Sequence, residues 1–258
     1  MCVRTFSHVL FCKLSTKMHN VALIFLTLLV TLLPFKLSAA TLPEFDATFE
    51  VHAFDIMFGI SKQSFRCHNQ DCTLKATASP SGLASFFVSE STYEEIQFKQ
   101  TANTLKWLSY SKKAGDDLND LENIKTVTLK RSTDQTEILY LEREKRWDNQ
   151  SNLFDVASIA YAIQYYKLNS LPIEGFHLQD TSGQDALTIS QIKPSQELEL
   201  SDQETTLKAE QYQFKTSKAE VKIWLLPTYQ YFPGRVDVYN IAKDRTITLL
   251  LQQPPKIL

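Results

Sequence analysis

The chain has 258 residues and a formal net charge of −2, from 27 basic and 29 acidic residues. Such a balance lacks the clustered surplus of positive charge on which nucleic-acid binding depends, so nucleic acid is not an expected partner. The length is sufficient for at least one sizeable hydrophobic core.

The first forty residues have the pattern of a secretory signal peptide. Basic residues precede an apolar run at 21–35, and residues 38–40 read Ser-Ala-Ala, a small-x-small cleavage site. The apolar run is shorter than the roughly 20 residues that a membrane span needs, and Pro34 interrupts its end. We therefore predict Sec-type export with cleavage after Ala40 and, for a Gram-negative source, a periplasmic location. An uncleaved membrane anchor is the alternative.

The start of translation and the charge of the exported chain follow from the same segment. Met18 opens an equally good signal peptide with a shorter basic region. Removal of residues 1–40 takes four of the 27 basic residues and none of the 29 acidic ones, which leaves a formal net charge of −6. The predicted exported chain is therefore mildly acidic.

After residue 40, a period of two in the apolar residues predicts β-strands. In the first, at 45–53, apolar residues at odd positions alternate with polar ones, which is typical of a sheet with one buried face. Turn-forming residues separate the strands, so sequential neighbours are expected to pair antiparallel. The other predicted strands lie at 93–98, 105–110, 124–130, 137–141, 175–179, 186–192, 197–200, 206–214, 220–226, 235–239 and 245–252.

One segment has helical periodicity instead. Between 153 and 168, apolar residues such as Ile159 and Ile163 recur at three- and four-residue spacing, with Asp155 in the first turn and Lys167 in the last. This predicts one amphipathic helix that fills the concave face of a curved sheet. The predicted fold class is mainly β, a curved antiparallel sheet or half-open β-barrel with one central helix, forming a single domain at 41–258.

Two cysteines lie close together in the predicted first half of the sheet. Cys67 and Cys72 flank the turn-forming sequence Asn69-Gln70-Asp71, so they are expected to face each other across a β-hairpin. Facing residues lie near disulfide distance, and an oxidising compartment would preserve the bond. A catalytic dithiol or a zinc site are the alternatives. The first normally has two intervening residues, and the second needs further ligands.

A series of short motifs spans residues 43–252. It comprises an opening strand with Phe49 and Val51, the segment GLASFF at 82–87, the helix NLFDVASIAYAIQYY at 152–166, and a closing strand pair around Trp224. Together these motifs resemble the bacterial exported proteins of the domain-of-unknown-function 3108 family. The resemblance implies a curved, half-open β-barrel with a helix, loosely akin to periplasmic lipoprotein carriers. The cysteine pair departs from the family pattern.

The motifs of common enzyme classes are absent from the sequence. It contains no G-x-S-x-G, H-E-x-x-H, G-x-G-x-x-G or P-loop motif. After residue 40, only His52, His68 and His177 are available for acid-base chemistry or metal binding. We therefore predict a protein that is not an enzyme and that uses no cofactor or metal. A hydrolase with an unrecognised site is the alternative.

The many aromatic residues suggest two non-enzymatic functions. Inward-facing aromatic side chains usually fill a small barrel, but in an open barrel they can line a ligand cavity. The first hypothesis is a protein that binds or carries an apolar envelope ligand such as a lipid, an acyl chain or a lipoprotein. The second is an interaction module that assists cell-envelope assembly through edge strands or an apolar patch. The candidate cavity or docking residues are Phe49, Val51, Leu83, Phe86, Phe87 and Ile163.

Overall fold

A computed structural model describes residues 40–258 except 55, 87–88, 102, 121 and 203–205. The predicted signal peptide, apart from Ala40, lies outside the described residues. Within the described ranges, no helix is both long and apolar enough to cross a lipid bilayer.

The described residues form sixteen β-strands in one sheet. The strands are β1 Phe45–Ala53, β2 Ile56–His68, β3 Asp71–Pro80, β4 Ser91–Gln100, β5 Leu105–Gly115, β6 Lys125–Arg131, β7 Glu137–Tyr140, β8 Lys145–Asp148, β9 Leu153–Asp155, β10 Phe176–Gln179, β11 Gln184–Glu199, β12 Thr206–Lys215, β13 Ala219–Leu226, β14 Phe232–Asn240, β15 Arg245–Leu251 and β16 Lys256–Ile257. Short 3₁₀ helices lie at Gly82–Phe86, Leu141–Arg143 and Pro227–Tyr229.

The sheet order explains how the two halves of the chain are joined. Across the sheet, the strands of the first half of the chain lie side by side in the order β8, β7, β6, β5, β4, β3, β2, β1. Strand β1 then pairs with β15, and the second half follows in the order β15, β14, β13, β12, β11, β10, β9. Neighbouring strands are antiparallel except β9 and β10, which are parallel. Among the described strands, no ladder of hydrogen bonds joins the two ends of this order, β8 and β9. The sheet is therefore curved but not closed, which confirms the predicted fold class.

The α-helix, α1, spans Ile159–Leu168 and is shorter than predicted. The prediction that it begins at 153 is wrong, because Leu153–Asp155 pairs in parallel with β10 as strand β9. The prediction of an amphipathic helix also fails for most of its length, since every residue from Ile159 to Tyr165 is buried. A helix that lies inside a curled sheet has no solvent-facing side to make polar.

The core forms where the first strand meets the helix. The ring centroid of Phe45 lies 5.1 Å from that of Tyr161 and 4.8 Å from that of Phe232 on β14. Phe49 continues this layer at 6.3 Å from Phe232. The odd-numbered face of β1 is thus the core face, as its alternation predicts.

The two cysteines are bonded at the end of the β2–β3 hairpin. Cys67 and Cys72 are directly opposed in the strand register, with a sulfur–sulfur distance of 2.08 Å. Asn69 takes a positive φ of 57° in the turn, a conformation that asparagine tolerates better than most residues. The predicted disulfide is confirmed.

We expect the disulfide to stabilise the folded chain modestly, because it closes only a short loop in the unfolded state. Changing both Cys67→Ala and Cys72→Ala should lower the free energy of unfolding by about 2 kcal/mol. Urea unfolding followed by tryptophan fluorescence measures this as a lower midpoint. An unchanged midpoint for both the double variant and the reduced wild type would contradict the expectation.

Candidate functional site

A cavity of about 550 Å³ lies in the concave face of the sheet, beside the junction between β9 and α1. This volume is within the range of roughly 300–1,000 Å³ that is usual for small-molecule sites. The cavity lies at the end of the barrel where β1 turns into β2 and β14 turns into β15. It is the best candidate for a binding site.

One wall of the cavity is aliphatic. It is built from three neighbouring strands, β1, β15 and β14, whose inward positions carry branched side chains. In the strand register Val51 opposes Leu249, and Leu249 opposes Val236, so these side chains form a continuous surface. The aliphatic residues of this wall are Val51, Val236, Val238, Ile247 and Leu249.

The opposite wall carries the polar groups. Along β2 to β5 one register row reads Gln63, Ala76, Glu94 and Lys112, so an amide, a carboxylate and an ammonium group point into the same space. Ala76 and Ala78 of β3 lie between the polar groups of β2 and those of β4, and Val127 and Leu129 of β6 border them on the far side of β5. The polar residues of this wall are Ser61, Gln63, Thr92, Glu94, Tyr110 and Lys112.

A buried carboxylate, Asp155, lies at the base of the cavity and is only 3% exposed. Its Oδ2 accepts a hydrogen bond of 2.6 Å from the indole Nε1 of Trp107 on β5. Its Oδ1 accepts backbone N–H groups of Ala157 at 2.8 Å and Ser158 at 3.0 Å, just before α1 begins. Asp155 therefore joins β5 to the β9–α1 junction and also borders the cavity.

Burial dominates the electrostatics of this carboxyl. Removal from water raises the pKa of Asp155 to about 6, against the opposing effect of hydrogen bonds from Ser158 and Trp107. The charge of Glu94 raises this pKa further. Part of the Asp155 population is therefore protonated in mildly acidic solution.

Glu94 and Tyr110 form a second polar group on the cavity wall. The Tyr110 hydroxyl donates a hydrogen bond of 3.2 Å to Glu94 Oε1, and the Lys112 ammonium lies 3.2 Å from the same oxygen. Burial, followed by the charges of Glu94 and Asp155, raises the pKa of Tyr110 far above its usual range. Tyr110 is therefore a permanent hydrogen-bond donor at physiological pH.

The cavity has the groups of a binding site. Its polar atoms are carboxylate, amide, hydroxyl and ammonium groups, which are able to form hydrogen bonds with the polar part of a ligand. In the described part of the chain, no group of three or more His, Cys, Asp or Glu residues is arranged to hold a metal ion. His52 bonds to Glu50 at 2.7 Å and is not among the cavity-lining residues.

The residues predicted from the sequence fall in three places. Val51 lines the cavity. Phe49 and Ile163 are 1% and 0% exposed and belong to the packed core around α1. Leu83 and Phe86 lie in the 3₁₀ helix Gly82–Phe86, although their side chains, like Phe87 as a whole, are outside the described part.

Sequence reasoning missed the polar residues of the cavity. Glu94 has the same parity along β4 as the buried residues Ile96 and Phe98, so strand alternation places it on the inner face. That signal was available in the sequence. The residues around Asp155, by contrast, predict an acidic residue in the first turn of a helix, and this pattern gives no indication of a cavity.

Another depression of about 550 Å³ lies near the C-terminal segment on β1–β4. Most of the residues that line it are of polar type, and they include Lys62, Lys75 and Lys256. Lysine side chains on a solvated face pair weakly with their neighbours, as Lys75 does with Glu95 at 3.9 Å. The concave cavity, with its aliphatic wall and buried carboxyl, is the better candidate.

The architecture and the cavity define a β-barrel-like protein with a central helix. No protein-family model matches the chain, and no curated protein matches it. The fold is similar to the crystal structure of a β-barrel-like protein of domain of unknown function DUF1849 from Brucella abortus, with a TM-score of 0.52 and 10% identity. The alignment covers 85% of this chain and 100% of that one. It supports a β-barrel-like fold, but not membership of the domain-of-unknown-function 3108 family.

We expect Asp155 to make the stability of the chain fall as the pH rises. Its pKa of about 6 in the folded chain exceeds the ordinary value of 3.8, so folding strengthens proton binding. The stabilisation from the proton is fully present below about pH 4 and is lost as the pH rises through about 6, with a total of about 3 kcal/mol. The difference obtained by subtracting the unfolding free energy of Asp155→Asn from that of wild type should therefore fall by about 3 kcal/mol as the pH rises from about 4 to above about 6.

The exposed residue Asp120 provides the control. A hydrogen bond from Asn123 holds the pKa of Asp120 below its ordinary value, so the corresponding difference for Asp120→Asn should not fall as the pH rises. Urea titrations at a series of pH values give both differences. A pH-independent difference for Asp155→Asn would show that this carboxyl titrates as it does in the unfolded chain.

Proposed function

We propose that this chain is an exported, non-enzymatic protein that binds or carries an apolar molecule of the cell envelope in its half-barrel. The observation that carries this proposal is the cavity of about 550 Å³ with a continuous aliphatic wall. Such a wall gains free energy by burying a hydrocarbon chain, at roughly 25 cal/mol per Å² of apolar surface removed from water.

Two features of the chain support the proposal that it is exported to the periplasm. The residues preceding Thr41 have the composition of a signal peptide. The Cys67–Cys72 bond is of the kind that persists in oxidising compartments such as the bacterial periplasm.

The arrangement of the cavity carboxylates supports binding over catalysis. Asp155 is held by an indole N–H and two backbone N–H groups, and Glu94 by a phenol and an ammonium group. Among the described cavity residues, neither carboxylate contacts a nucleophile paired with a base, the geometry that acyl-transfer enzymes need.

We expect the neutral fluorophore N-phenylnaphthylamine to bind the purified chain with increased emission. Leu249→Trp, which places a bulkier side chain inside the cavity, should weaken this binding about tenfold, equivalent to about 1.4 kcal/mol. The matched control is Leu250→Trp, because the neighbouring side chain on β15 points to the opposite face and does not line the cavity.

Fluorescence titration of the three proteins measures this difference, and circular dichroism checks that each variant folds. Native mass spectrometry of the protein isolated from its own compartment should also show a co-purified apolar molecule. A wild-type chain that binds no fluorophore and is always isolated empty would contradict the proposal.

A second candidate function, docking to another envelope protein, is favoured by exposed apolar residues at the cavity end of the barrel. Phe54 is 64% exposed and Ile56 59% exposed in the β1–β2 turn, and Ile241 is 48% exposed in the β14–β15 turn. These turns are neighbours, since Ala53 pairs with Ile247. Exposed apolar clusters of this kind often mark interaction sites.

We expect a photo-crosslinking amino acid at Phe54 to trap one specific protein in cells if this second function holds. The control position is Thr246, which is exposed on the neighbouring strand β15 but is not apolar. Mass spectrometry of the crosslinked bands identifies the products. The same set of random neighbours from both positions would contradict a docking function.

A further inference from the structure

We propose that the cavity selects amphiphiles whose polar end donates hydrogen bonds and carries no negative charge, such as an alkyl ammonium or alcohol, over amphiphiles with an anionic end. This inference rests on the proposed function, and it adds the chemical class of the ligand. It follows from the separation of polar and apolar groups in the cavity and from which of the polar groups have unused hydrogen-bonding capacity.

The cavity is itself amphipathic. Its aliphatic wall lies on β1, β14 and β15, and polar groups face it from β2, β4 and β5 and from Asp155. Further polar residues border the cavity where β10, β14 and β15 end or begin, namely Gln179, Asp180, Thr181, Asn240 and Arg245. A purely hydrocarbon ligand would form no hydrogen bonds with the polar wall and would displace water from its spare hydrogen-bonding groups, at a cost for each group. A ligand with a single chain and a small polar end satisfies both walls.

Two carboxylates that border the cavity, Asp155 and Glu94, have unused capacity to accept hydrogen bonds. A carboxylate offers about four lone-pair directions. Asp155 uses three of them, and its Oδ2 accepts only the Trp107 indole in the described structure. Glu94 Oε1 receives both Tyr110 and Lys112, and no described donor reaches its Oε2. A ligand that donates hydrogen bonds therefore finds partners at both residues.

The charges around the cavity also favour a ligand whose polar end is not anionic. Its lining contains three carboxylates, Glu94, Asp155 and Asp180, and two cations, Lys112 and Arg245. Asp180 also lies 3.8 Å from the ammonium group of Lys218, which is outside the lining. Lys112 is already paired with Glu94 at 3.2 Å, and Arg245 lies at the first position of β15, near the mouth. At the base of the cavity, an anionic group would lose its water and face the carboxyl of Asp155, which accepts hydrogen bonds but has no cation partner among the described residues. A neutral or cationic donor group has no such repulsion.

The test uses three amphiphiles with the same chain length, namely decylamine, decanol and decanoate, as competitors of bound N-phenylnaphthylamine. At about pH 7 the amine is protonated and the carboxylate is ionised. We expect decylamine and decanol to displace the fluorophore at concentrations about tenfold lower than decanoate does, a difference of about 1.4 kcal/mol.

A pair of variants on one strand tests the residue assignment. Glu94→Gln removes an inward carboxylate and frees the Lys112 ammonium, so the preference for decylamine over decanoate should shrink about tenfold. Glu95→Gln makes the same chemical change one residue along β4, on the opposite face, where Glu95 accepts a hydrogen bond from Tyr93. The preference should be unchanged in this control.

The possible outcomes separate the two proposals. If the fluorophore does not bind, the proposed function fails and this inference fails with it. If the fluorophore binds but decanoate competes as well as the other two, or if none of the three competes, only this inference is overturned. A tenfold preference that is equal in wild type and Glu94→Gln would support selection against anions but overturn the role of Glu94.

Discussion

The sheet of this protein curls without closing, and the rest of the structure depends on how its interior is filled. Strands β8 and β9, at the two ends of the sheet order, share no ladder in the described structure. A curved sheet with open ends buries its concave face only if another element occupies it. The helix Ile159–Leu168 does so, and its burial from Ile159 to Tyr165 follows directly from that position. The helix fills one part of the interior, and the cavity occupies the part beyond it.

Asp155 stands at the boundary between these two parts. Its hydrogen bonds to Trp107 and to the backbone before the helix connect β5 with the β9–α1 junction. The same burial that makes these bonds strong raises the pKa of the carboxyl to about 6, which makes its charged form costly. The residue that orients the helix therefore also gives the base of the cavity its acceptor character, so structural and binding roles are combined in one side chain.

Much of the fold could be predicted because its signals are local. Alternation along 45–53 predicted the first strand with the bounds that it has, and the turn sequence between Cys67 and Cys72 predicted the hairpin and its disulfide. The start of the helix was mispredicted because Leu153–Asp155 becomes a strand only by pairing with β10, more than twenty residues later in the chain. Parallel pairing of this kind leaves no local signature. Of the candidate site, Val51 lines the cavity, whereas the acceptors Glu94 and Asp155 were missed.

The amino-acid sequence by itself determined which side of the first strand faces inward, that one helix separates two runs of strands, and which cysteines pair, because these properties depend on residues that are near in the chain. Only the tertiary structure decided which inward residues touch the helix and which border empty space. Phe49 and Val51 show this difference, since both lie on β1 and alternation treats them alike. Phe49 packs against Phe232 in the core. Val51, two residues further along β1 toward the open end of the cavity, lines the cavity. Depth along the barrel axis is set by how far the helix extends into it, and a period of two carries no information about that depth.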